Sequence, residues 1–111
     1  MVDLTFLKKF TKGDSQKMKR YITLYLNVAP KTFDEMQNNL KNSDWEQLRI
    51  NAHSLKPQAD FMGIDSLKKE LVKIEDAVKM KNFSAIENLL KTSHKIAMDS
   101  EVILKELLEK L

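Results

Sequence analysis

Between Trp45 and Met62 the apolar residues Trp45, Leu48, Ala52, Leu55, Ala59 and Met62 recur three or four positions apart. At about 100° per residue these side chains fall on one face, so the segment folds as a helix with a single buried side. The same rhythm returns at Met18, Ile22, Tyr25 and Ala29, at Phe33, Met36 and Leu40, and at Leu67, Leu71, Ile74 and Val78. It returns once more at Ile86, Leu89, Leu90, Ser93, Ala97, Leu104, Leu107 and Leu111. Only two Gly and two Pro punctuate 111 residues. Lys, Glu, Leu and Met, all good helix formers, are abundant. The expected fold is all-α.

Boundaries follow from capping chemistry. "DLTFLKKF" predicts a short N-terminal helix capped by Asp3, and "KGD" at 12–14 a turn. Asp14 or Ser15 caps the next helix. Pro30 ends it, because the residue before a proline avoids the α region. A further helix then starts at Pro30 or, from the spacing of Thr32 and Glu35, at Phe33. Ser43 and Glu46 have capping-box spacing, which starts the histidine-bearing helix near Asp44, and Gly63 closes it. Asp65 or Ser66 caps the following helix, with Glu75 and Lys79 as an exposed pair on its flank. Ser84 and Glu87 cap the last one, which runs to about residue 109 and, at roughly 39 Å, outreaches its partners. Short connections favour an antiparallel up-and-down four-helix bundle with an additional N-terminal helical segment, a single domain over residues 1–111.

Composition excludes several classes. Nineteen basic residues face sixteen acidic ones spread along the chain, for a net charge of +3. No concentrated basic stripe or reading motif marks a nucleic-acid binder. No apolar run approaches the roughly 20 residues of a membrane span, and no signal-peptide pattern opens the chain. There are no cysteines, which fits a reducing compartment. A soluble, cytoplasmic, monomeric protein is expected.

His53 is the candidate reactive residue; by itself it reads as an ordinary surface histidine, and its neighbours favour a functional one. On a helical wheel it lies about 130° from the centre of the buried stripe, on the solvent side. Arg49, Lys56 and Asp60 border it on one flank; Ile50, Pro57 and Phe61 border it on the other. An exposed histidine edged by apolar side chains has the makings of a docking surface with a reactive group at its centre. Phe61 has two equally good readings, which can share the patch: it belongs to that surface, or the N-terminal Phe6, Leu7 and Phe10 fold over it and Ile50. A neutral imidazole is nucleophilic and accepts a phosphoryl group on a ring nitrogen. Lys56, three residues on, reaches the same place. No glycine-rich phosphate loop is present, so a phosphoryl donor and any metal come from a partner.

The segment "AHSLKPQADFMG" resembles the signature of histidine-containing phosphotransfer domains, with His53, Leu55, Lys56, Ala59, Met62 and Gly63 in place. The resemblance implies that His53 accepts the phosphoryl group and Lys56 stabilises it. It implies that the partners are receiver domains of response regulators or hybrid histidine kinases. The divalent metal then sits on the receiver, and this chain carries no cofactor. It also implies a phosphorelay intermediate with no kinase activity of its own. Pro57 stands where the family usually has glycine. Proline lacks the amide that would bond the His53 carbonyl, which predicts a bend at 53–57 and not a helix end.

Two alternatives keep the bundle and change the function. A kinase phosphoacceptor helix would have an acidic residue after the histidine and a proline five residues on; here Ser54 follows and Pro57 comes at four. A non-catalytic adaptor would bind through Ile50 and Phe61 and leave His53 incidental. His94 has no ligand partner at a metal-binding spacing. Trp45 is expected as a core anchor.

Overall fold

The computed structural model describes residues 1–111, and every long element in it is helical. A short helix α1 (Thr5–Phe10) is followed by α2 (Ser15–Lys41), α3 (Trp45–Phe61), α4 (Asp65–Lys79) and α5 (Ile86–Glu109). A single 3-10 turn, Phe83–Ala85, precedes α5. Helices α2 to α5 form the expected bundle. α3 packs on α2 and α4, α5 closes the ring by packing on α4 and α2, and one core of 22 buried apolar residues runs down the middle.

The predicted break at Pro30 does not occur. α2 continues through it for 27 residues and is the longest helix, ahead of the 24 residues of α5. The reason lies in the stripe. Tyr25, Ala29, Phe33 and Met36 stay in phase and are all buried. An interior proline costs about 3 kcal/mol. Burying Phe33 and Met36 returns about 1.5–3 kcal/mol each. Thr32, expected in a capping box, instead donates its hydroxyl to the Val28 carbonyl within the helix, at 3.0 Å. Packing overrides the local stop signal. α3 likewise runs without a break through Pro57.

The short loops between helices reassign the predicted caps. After α2, Ser43 adopts φ 54°, and Asp44 N–H bonds the Asn39 carbonyl at 2.8 Å. Ser43 thus ends α2 in a Schellman turn, and Asp44 caps α3 by accepting from Gln47 N–H at 3.3 Å. The Ser43–Glu46 box is displaced because a connection this short uses Ser43 to stop one helix, not to start the next. Lys81, with φ 57°, stops α4 in the same manner. Neither Asp65 nor Ser66 caps α4; its N-cap is Ile64, whose buried side chain belongs to the core. The Ser84–Glu87 box is replaced by the 3-10 turn, with Ser84 Oγ bonded to Asn82 Oδ1. Trp45 stacks on Phe83 at 4.7 Å and ties this turn to the start of α3.

The N-terminal segment folds onto the far end of α3. Asp3 accepts from Thr5 N–H at 2.9 Å, one position ahead of the Leu4 N-cap, and orders the start of α1. Asp3 N–H donates to the Gly63 carbonyl at 3.2 Å. Gly63 has φ +64°, and a Cβ built there would fall inside the Asp3 carbonyl group. This position takes glycine for two reasons, the left-handed backbone that stops α3 and the chain that crosses it. α1 then lays Phe6 and Phe10 beside Phe61.

Candidate functional site

The site is built where the outer face of α3 meets α4. His53 sits midway along α3, with its side chain 66% exposed. Leu48, Ala52, Leu55 and Ala59 are buried, so the wheel that put His53 outside is confirmed by the packing. Two turns of helix hold the residue rigidly while its ring stays accessible.

The partner that sequence reasoning missed is Glu75. It does not pair with Lys79 on an exposed flank. Its side chain is only 5% exposed and turns toward α3. One carboxylate oxygen, Oε2, lies 3.0 Å from His53 Nδ1, and the other, Oε1, lies 2.6 Å from Lys56 Nζ. The signal was present in the register of α4. Glu75 sits one turn after Leu71, at the edge of the arc defined by Leu71, Ile74 and Val78, and is buried with them. A charge in that arc needs partners from a neighbouring helix. The pattern of α4 alone does not say which ones.

The electrostatics fix the tautomer. Burial pushes the Glu75 carboxyl up, but hydrogen bonds from Lys56 and His53, together with their charges, outweigh it and hold the group below the ordinary glutamate range. An ionised carboxylate only accepts hydrogen bonds, so the proton of a neutral His53 ring is on Nδ1, donated to Glu75. Nε2 is then left with its lone pair on a mostly exposed ring and no hydrogen bond inside the protein. The exposed ring is thus held from behind by a buried carboxylate, with a cation one helical turn away.

The other predicted residues separate. Ile50 is 43% exposed and Pro57 is exposed, so both flank His53 on the open face. Arg49 pairs with Glu46, which raises the guanidinium and holds the Glu46 carboxyl below its usual range. Asp60 bonds Lys68 at 2.9 Å. Phe61 is drawn into an aromatic cluster, stacked on Tyr21 at 5.5 Å and edge-on to Phe6 and Phe10 at 5.4 and 5.2 Å. α1 therefore does cover Phe61, which still lines an open groove beside Pro57. Ile50 stays open. Leu24 on α2, which the sequence did not single out, is 49% exposed and lines a shallow groove with Tyr21, Pro57 and Phe61. His94 stacks on Phe33 on the opposite side of the bundle. No three His, Asp or Glu side chains gather closely enough to hold a metal ion. No helix is long and apolar enough to cross a membrane.

The Hpt domain family model matches residues 20–111. No curated protein matches the chain in sequence. Among solved structures, the crystal structure of histidine-containing phosphotransfer protein B (HptB) from Pseudomonas aeruginosa PAO1 aligns with a TM-score of 0.92. That alignment covers 99% of this chain and 96% of that one at 14% sequence identity, so what the two share is the fold.

Proposed function

Because the chain belongs to the Hpt domain family, we propose that it is a phosphorelay intermediate whose acceptor is His53 Nε2. The observation that carries this is the pairing of an exposed ring with a buried carboxylate: Glu75 accepts a hydrogen bond from Nδ1–H, which leaves the Nε2 lone pair free on the exposed ring. The donor is the aspartyl phosphate of a receiver domain. The Nε2 lone pair attacks phosphorus, the bond to the aspartate oxygen breaks, and the carboxylate leaves with its electron pair. A second receiver's aspartate takes the group by the reverse steps.

Lys56 supplies positive charge near the transferred group, and such reactions depend mainly on positioning and charge neutralisation. The divalent metal that helps the receiver's carboxylate belongs to the receiver. Ile50, Pro57 and Leu24 form the apolar part of the docking face, with Arg49 and Asp60 at its charged rim. On this reading the protein works as a monomer in the cytoplasm, where receiver domains reach its open α3 face.

The test is direct. The protein is mixed with phosphorylated receiver domains, and acid-labile, alkali-stable phosphate is sought on it. Label on the parent and none on His53→Gln is the expected result. Equal labelling of both, or none from a panel of receivers, would sink the proposal.

A further inference from the structure

Building on that acceptor role, we infer that Glu75 is a positioning residue that keeps Nδ1 protonated through the whole cycle, so that the phosphoryl group enters and leaves His53 with no proton transferred. The argument begins with the leaving group. After Nε2 attacks with Nδ1 still protonated, the ring is a phosphoimidazolium cation. When the next aspartate attacks phosphorus, the P–Nε2 bond breaks and its electron pair returns to Nε2. The departing group is then neutral imidazole, with its proton still on Nδ1. Had Nδ1 lost that proton, the same bond would have to expel an imidazolate anion, a far stronger base and a much poorer leaving group. Whether the phosphoryl group can move on is decided at the nitrogen that does not carry it.

The geometry holds that nitrogen's proton in three ways. Glu75 Oε2 lies 3.0 Å from Nδ1. The carboxylate is almost wholly shielded from water, so solvent does not compete for that oxygen. Lys56 occupies the other oxygen at 2.6 Å, which leaves Oε2 to the imidazole and keeps the carboxylate ionised beside a ring that becomes cationic. A charge-assisted bond of that kind is at its strongest away from bulk water. The remaining charge that acts on Glu75 is Arg49, also on α3 and at longer range. α4 adds no second acid or base in contact with the pair, and no ion pair links α2 or α5 to the cluster. α2 reaches α3 near this point through Asn39 and Asn51, which do not titrate.

Glu75→Gln removes the charge and keeps the shape. His53 is phosphorylated chemically with phosphoramidate in parent and variant, and the ring is titrated by 15N and 31P NMR. A denatured sample of the phosphorylated parent serves as reference. The parent is expected to retain its Nδ1 proton to a pH about one unit above both the variant and the denatured reference, the size of shift an adjacent opposite charge produces. Transfer to a receiver should then fall about ten-fold in Glu75→Gln above the variant's midpoint and match the parent below it. If folded parent and denatured reference titrate together, the inference is overturned even should the variant fail to fold. Coincident titrations and identical pH profiles in parent and variant overturn it as well, while leaving the acceptor role intact. Failure of the parent to take any label on His53 overturns both.

Discussion

Replacing Gly63 with alanine should separate two costs that are usually confounded. Gly63 and Gly13 both have positive φ, +64° and +74°. A Cβ at Gly13 meets nothing within 4 Å, whereas at Gly63 it would collide with the backbone of Asp3. Gly13→Ala therefore reports the conformational penalty alone, about 1–2 kcal/mol for a left-handed alanine. Gly63→Ala adds the displacement of the N-terminal segment. That loses the Asp3–Gly63 hydrogen bond, worth about 0.5–1.5 kcal/mol. It also loosens Val2 and Leu4 against the core and the edge-on packing of Phe6 and Phe10 on Phe61, where each aromatic pair contributes about 0.5–1.5 kcal/mol. The expected total is about 3–5 kcal/mol, two to three times the Gly13 value. Urea denaturation of both variants measures it. On the scaling for domains of about 100 residues, the difference appears as a gap of at least 8 °C in Tm. A 1H–15N spectrum of Gly63→Ala should show the largest changes in α1 and around Phe61, with His53 and Glu75 undisturbed. Equal destabilisation by the two alanines, within about 0.5 kcal/mol, would refute the packing argument, since only the backbone term would then be operating.

Other consequences can be checked in parallel. Tyr25 is buried with no partner for its hydroxyl, and burial pushes its phenol well above the ordinary range. Tyr25→Phe should leave stability unchanged or raise it by up to about 1 kcal/mol, and a loss greater than that in denaturation would show a hidden partner. Its unfolded form ionises first, so stability should fall as pH rises through the ordinary phenol range; a flat alkaline limb would contradict this. Glu75 runs the other way. Its folded pKa lies below the unfolded value near 4.5. The stabilisation is present above that value and is lost as pH falls through the folded pKa. Glu75→Gln should accordingly flatten the acid limb of a Tm-against-pH curve, and an unchanged limb would place the acid sensitivity elsewhere. Lys56→Met strands Glu75 with one partner and should cost about 1–3 kcal/mol in addition to slowing transfer. A change below about 0.5 kcal/mol would mean that the 2.6 Å pair is not formed in solution.

Much of the fold was legible because helical periodicity is a local property. The buried stripes of α3 and α4 needed no knowledge of what they pack against. The exposure of His53 followed from the same wheel. Local signals failed where a neighbouring element competed for the same residue. Pro30 marked a stop that the burial of Phe33 and Met36 overrode. Ser43 had the chemistry of an N-cap and was used to end the preceding helix. The cover over Phe61 depended on the crossing of Asp3 over Gly63, which brings α1 down.

The sequence alone determined that this chain is helical, that His53 stands outside the core, and that Lys56 stands beside it. All three follow from about 100° of rotation per residue along a single helix. It could not determine that Glu75, twenty-two residues away, lies 3.0 Å from Nδ1. That contact depends on the rotation and offset of α4 against α3, which are set by how two apolar faces interlock. Only the packed bundle sets a buried carboxylate behind the exposed histidine.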